Sequence, residues 1–358
     1  MKWPNFPATS KTTCATLAVG GLGAVLAWSV AAPVYMLLGP AIAVSLAGLF
    51  GMRCAVNSQL RDACFVILGI AVGAGFNSDA LGAMLRWPLA FMFMAAVLWG
   101  IILTCRSMLV RFFHFDARSA VLASAPGHLS FVIAIASETG SDVARISITQ
   151  SVRLLSLTLV VPFVALALGI DVSGNIAPQG DLIPFAALAT SVVLSVVVGV
   201  FFKHLNVPAP LLLGAMVVSG AGHLTSTATG VLPGWLILPA YLVLGSMIGT
   251  RFSGVTLRLL KSGLMAGVAI TGVAVALAAL AAIPVSWALG MPLAHVLVAF
   301  APGGLETMIA MGAVLGVVPG FVAACHVARL LVLTFLLPLM LARAGAQDQS
   351  CSDLRGTP

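Results

Sequence analysis

Two arginines, Arg153 and Arg329, stand inside long apolar runs, and each follows a polar residue by three positions, Gln150 in the first case and His326 in the second. An arginine at the centre of a membrane-spanning helix costs on the order of 3 kcal/mol, so each must face the interior and find a partner. Three residues is close to one helical turn, which puts Gln150 with Arg153, and His326 with Arg329, on a single helix face. Upstream of each pair, proline and glycine interrupt an apolar segment: Pro126-Gly127-His128 in one place, Pro302-Gly303-Gly304 with Glu306 in the other. A break in the backbone at membrane depth frees N–H and C=O groups and is tolerated only where protein or a water-filled cavity surrounds it. A helix restarting at Leu129 or Leu305 aims its positive end at the break, an arrangement suited to an anion.

These residues admit two roles. In one, Glu306 is the ion partner of an arginine, and the set is a buried polar network that ties the broken segments to the crossing helices. In the other, Pro126, Gly127, His128, Gln150, Arg153, Pro302, Gly303, Gly304, Glu306, His326 and Arg329 form a central binding site. Two inward arginines and two helix starts make that centre electropositive, so a small anion is the favoured solute if one arginine is left unpaired. Glu306 and His326 are also groups that can carry a proton.

Elsewhere the chemistry is sparse. His114, His204, His223 and His295 fall near the ends of apolar runs, where a wetted histidine is expected, and Glu138 and Asp142 read as a solvated turn. The six cysteines lack paired spacing, and the histidines offer neither an H-x-H pair nor a Glu-x-x-His run, so the sequence predicts no enzyme, no metal site and no cofactor.

The elements that must position the arginines are set by composition. Of 358 residues 61% are hydrophobic and 8% charged, with mean hydropathy +1.14, far from the roughly 25% charged residues of soluble domains. This is the composition of an all-α polytopic membrane protein, whose main partner is the lipid bilayer. Apolar spans are predicted at 13–32, 34–52, 63–77, 88–108, 146–169, 182–202, 208–225, 235–250, 262–284 and 320–341, with interrupted segments at 119–137 and 292–314. Lys2 and Lys11 precede the first span, which reads as a retained helix rather than a cleaved signal. The net charge of +7 is carried in the short breaks between spans, which points to orientation in a membrane and not to nucleic acid.

Shifting the chain by about 176 residues against itself reveals a repeat. Ala125, Pro126, Gly127, Leu129, Gly140, Arg153, Leu154, Leu155 and Pro162 meet identical residues at Ala301, Pro302, Gly303, Leu305, Gly316, Arg329, Leu330, Leu331 and Pro338. Leu68, Gly69, Gly73 and Phe76 likewise meet Leu244, Gly245, Gly249 and Phe252. The chain therefore divides into a first transmembrane repeat (1–170), a linker (171–181), a second repeat (182–341) and a polar C-terminal tail (342–358). If each Pro-Gly segment dips in and returns, each repeat makes about five crossings and the two are inverted. Arg53, Arg61, Arg106, Arg111, Arg118, Lys203, Arg251, Arg258, Lys261 and Arg343 then fall on the cytoplasmic side with both termini, with Arg86 the main exception.

With its Ala301-Pro-Gly-Gly-Leu305 and Ala125-Pro-Gly-His-Leu129 segments and paired Q/H-x-x-R-L-L runs, the chain resembles the duplicated AbrB family of bacterial inner-membrane proteins. Members of that family are labelled either as regulators of the AidB gene or as putative ammonia monooxygenases. His128 departs from the PGG pattern. No soluble basic module is present to read DNA, and no ligand set is present to hold the metal of a monooxygenase. The expectation is a secondary transporter of the bacterial inner membrane, moving a small solute with H⁺ or Na⁺ as coupling ion, with a homo-oligomer allowed. The alternative is a membrane ligand sensor that affects gene expression indirectly.

Overall fold

A computed structural model describes residues 9–76, 87–127, 129–169 and 180–355. His128, Arg86 and most of the predicted linker lie outside the described residues. Fourteen helices and no strands occur among those described: α1 (Ser10–Ser29), α2 (Tyr35–Leu49), α3 (Ser58–Gly73), α4 (Trp87–Phe113), α5 (Ala117–Ser124), α6 (Leu129–Glu138) and α7 (Val143–Ala167), then α8 (Phe185–His204), α9 (Pro210–Leu224), α10 (Gly234–Thr250), α11 (Leu257–Leu289), α12 (Leu293–Phe300), α13 (Leu305–Val314) and α14 (Pro319–Arg355). Six of them, α1, α4, α7, α8, α11 and α14, are long and apolar enough to cross a membrane. The chain is an all-helical membrane protein.

Local signals set the helix starts. The side chains of Thr9, Asn57, Asp116, Asp142 and Thr256 each accept a hydrogen bond from a backbone N–H of the first turn, supplying a partner to a donor that the helix itself leaves unpaired. α11 stops at Gly290, whose φ of 64° ends the helix without strain. α14 runs past the predicted span end at 341 to Arg355, so the polar tail continues the helix instead of leaving it.

α2 and α3 are followed in space by helices from the far half of the chain. Gly69 lies so close to α9 that a Cβ would stand 2.4 Å from the Leu212 carbonyl oxygen, and Gly73 meets Met216 in the same way at 2.6 Å. Gly245 on α10 approaches the Leu37 carbonyl at 2.4 Å, and Gly249 approaches Val44. Backbone contact this close requires glycine. The order of the contacts shows that α3 runs alongside α9 in the same direction, and α2 alongside α10. The Ser253 hydroxyl, just past α10, accepts from the Cys54 N–H at 2.9 Å, which brings the end of α10 to the loop between α2 and α3.

The broken segments form two in-and-out pairs. Arg145, in the first turn of α7, donates to the carbonyls of Phe113 and His114 at the end of α4, and its guanidinium stacks 3.8 Å from the centre of the Phe115 ring. The pair α5–α6 therefore leaves from one end of the molecule and comes back to it. In the second pair, α12–α13, the return leads to Pro319 and Gly320, which pack on Gly75 and Phe76 beyond the end of α3.

Candidate functional site

Each in-and-out pair bends at its proline and glycine. α5 ends at Ser124 and α12 at Phe300, and the next backbone bonds run from Gly127 N–H to Ala125 O at 3.0 Å and from Gly303 N–H to Ala301 O at 2.8 Å. The carbonyls of a helix's last turn lack intrahelical partners and need another donor when buried. The two arginines supply it.

In the first bend, Arg153 Nη1 donates to Ala125 O at 3.2 Å, and its other terminal nitrogen donates to Gln150 Oε1. Gln150 Nε2 in turn donates to Leu122 O and Ala125 O, both at 2.9 Å. In the second bend, Arg329 Nη1 donates to Ala301 O at 2.9 Å and Nη2 to Gly303 O at 2.7 Å. His326 meets its own helix, Nδ1 lying 2.9 Å from Val322 O, while its Nε2 has no hydrogen-bond partner. The Nε atoms of Arg153 and Arg329 also lack one. All four side chains are buried. The helices start at Val143 and Pro319, earlier than the sequence suggests, which sets each arginine about 15 Å along its helix by the 1.5 Å rise.

Each bend packs against the long helix of the other half. A side chain at Gly127 would meet Leu333 of α14 at 2.9 Å and Leu330 at 3.9 Å, and one at Gly304 would touch Leu154 of α7 at 3.5 Å. Pro126, Gly127, Gln150 and Arg153 are thus gathered at one bend, and Pro302, Gly303, Gly304 and Arg329 at the other, while His326 bonds only within its own helix. His128 lies outside the described residues.

Glu306 is elsewhere. It makes no bond to Arg153 or Arg329 and lines a cavity of about 610 Å³ together with Thr307, Arg61, Asp62, Lys203 and Arg251. The expected Glu306–arginine pair is absent because the guanidiniums are taken up by carbonyls of the bends, while Glu306, one position into the helix after Leu305, points to the open side. Burial lowers Arg251 from the ordinary arginine range, and Glu306 opposes that shift. Arg61 and Asp62 pair with each other at 2.8 Å. The sequence assigns Arg61, Lys203 and Arg251 only to orientation; that they share one cavity with Glu306 depends on α3, α8, α10 and α13 meeting, which no local pattern encodes.

A smaller cavity of about 320 Å³ lies beside the first bend, lined by Ala125, Gly127, Phe131, Asn206, Leu330 and Thr334 among others. Among the described residues no group of three or more His, Cys, Asp or Glu side chains is arranged to hold a metal.

Comparison with known proteins gives a family and two relatives. Residues 36–344 match the family described as "Transition state regulatory protein AbrB". A protein of Bacillus subtilis (strain 168) named "Uncharacterized protein YhjN" is 30% identical over 297 residues, covering 76% of this chain and 75% of the relative. "Putative regulator AbrB" of Escherichia coli (strain K12) is 25% identical over 296 residues, covering 78% of this chain and 81% of the relative.

Proposed function

The chain belongs to the AbrB family of membrane proteins, and on that premise we propose that it is a secondary carrier for a small solute, an anion by preference. The observation that carries this reading is the cavity of about 610 Å³ leading from charged helix ends to the first turn of α13, at the bend of the second in-and-out pair. Carriers of this architecture bind solute where broken helices meet near the middle of the bilayer. With Arg61 and Asp62 paired, the remaining charges on the cavity lining are Lys203, Arg251 and Glu306, a positive balance that favours an anion.

The same reading takes the two halves, α1–α7 and α8–α14, as inverted copies. Helix limits recur at the offset of the sequence repeat: Ala117–Ser124 with Leu293–Phe300, and Leu129–Glu138 with Leu305–Val314. α3 begins at the cavity, through Arg61, whereas its counterpart α10 ends there, through Arg251, which supports opposite directions. The return of α5–α6 to the end of α4 supports a re-entrant hairpin, leaving about five crossings per half. The cavity then opens to the cytoplasm, the side on which basic residues collect. In this reading Arg153, Gln150 and Arg329 shape the bends, Glu306 and Thr307 meet the solute, and no chemical reaction is assigned.

A second reading is favoured by the printed name of the Escherichia coli relative, a putative regulator: the same cavity would bind a ligand and report it without moving it. Turnover separates the two. Purified protein is screened for thermal stabilisation by small anions, since a ligand that binds only the folded state raises its stability. Anions that stabilise it are then offered to proteoliposomes under an imposed H⁺ or Na⁺ gradient. Accumulation supports the carrier; binding without accumulation in either gradient supports the sensor.

A further inference from the structure

We propose that Glu306 is the protein's own competitor for the transported anion, and that its protonation couples one proton to each anion moved. This inference rests on the carrier reading.

The observation behind it is the position of the one unpaired acid of the cavity. Glu306 lies in the first turn of α13, whose preceding residue, Gly304, supplies no side-chain cap. A carboxylate there interacts favourably with the unpaired N–H groups of the helix start. Arg61, Asp62, Lys203 and Arg251 are the other charged groups facing the cavity; Asp62 is held by Arg61, and no histidine is present in the lining. Lys203 and Arg251 are therefore the cations a solute would meet, and Arg251 is the one that interacts electrostatically with Glu306.

Charge balance follows. In the empty cavity the Glu306 carboxylate supplies the negative charge opposite Arg251 and the helix start. When Glu306 takes up one proton, forming an O–H bond and becoming a neutral acid, that charge is vacated and an anion from solution replaces it. The loaded and empty cavities then carry the same net charge, so neither form adds an unbalanced charge to a low-dielectric interior. An anion binding without the proton would stand beside a second negative charge. Release of the anion on the far side returns Glu306 to its carboxylate, and the proton leaves with it.

The test uses the full chain in detergent and monovalent anions whose own charge is constant from pH 5.5 to pH 8: formate, lactate and nitrate. Wild-type affinity, read from thermal shifts, is expected to weaken as pH rises from 5.5 to 8, with a limit of about tenfold per pH unit for one proton taken up per anion. Glu306→Gln, which fixes the neutral form, is expected to bind at both pH values and to exchange anions in proteoliposomes without responding to a pH gradient. Glu306→Asp keeps a titrating group and should retain the pH dependence, as should Asp62→Asn. Equal wild-type affinity at the two pH values, or an unchanged pH dependence in Glu306→Gln, overturns the coupling while leaving an anion carrier standing. No shift by any anion at either pH in the wild type removes the carrier reading itself, and the coupling with it.

Discussion

Arg153 and Arg329 each donate to the carbonyl oxygen of the alanine 28 residues upstream, Ala125 for the first and Ala301 for the second. Each arginine thereby ties the bend of a broken helix to the long helix that follows it. The two ties differ in redundancy. Ala125 O also receives Gln150, whereas Ala301 O and Gly303 O receive Arg329 at both of its terminal nitrogens.

Arg329→Ala should therefore destabilise the protein more than Arg153→Ala. Removing Arg329 strips two buried carbonyls of that donor, a loss of about 3 kcal/mol, while Gln150 still serves Ala125 in the other variant. Both variants are expected to insert and to lose transport. Thermal unfolding in detergent reads the difference, and equal losses of stability would contradict the unequal ties.

His326 invites the opposite change. Its Nε2 is buried without a partner, while Gln150 at the matching position reaches two carbonyls. His326→Gln is expected to raise stability by about 1 kcal/mol by giving the second bend the arrangement of the first. A lower melting temperature would mean that the α12 carbonyls are out of reach.

Gly69→Leu and Gly245→Leu should each drive two backbones apart, since even a Cβ would stand 2.4 Å from a carbonyl oxygen at either position. Losses of about 3 kcal/mol or failure to yield monodisperse protein are expected. Gly100→Leu, at a position with open space around it, is the control and should cost little. If all three behave alike, the close approach of the helices is wrong.

Topology can be read by cysteine labelling. In a background without native cysteines, Arg251→Cys should be protected from a membrane-impermeant maleimide added outside, and Asp181→Cys should react. The same accessibility at both positions would remove the inverted arrangement.

The helices and the bends were legible in the sequence for separate reasons. Spans such as 235–250 against Gly234–Thr250 follow from apolar length alone, and the bends follow from Pro-Gly pairs in apolar surroundings. The side of Arg153 and Arg329 was legible too, because a buried guanidinium has few options. What they bind was not: the freed carbonyls of Ala125, Ala301 and Gly303 are backbone groups, and backbone carries no sequence signature. Glu306 looked like the natural counter-ion for the same reason that it stood out, as the lone acid in an apolar segment. Its actual surroundings, Arg251 and Lys203, come from helices that are distant in the chain.

The pairing of α2 with α10 and of α3 with α9 also bears on how the protein is made. The packing faces of α2 and α3 are made early, yet the backbones they must touch, at Leu212, Met216, Gly245 and Gly249, belong to the second half of the chain. Until that half is made, the first half must wait in the bilayer with its glycine faces against lipid. Maturation is therefore a late, concerted closing of two interlocked halves, and a chain cut between them would assemble only if both pieces were synthesised into the same membrane.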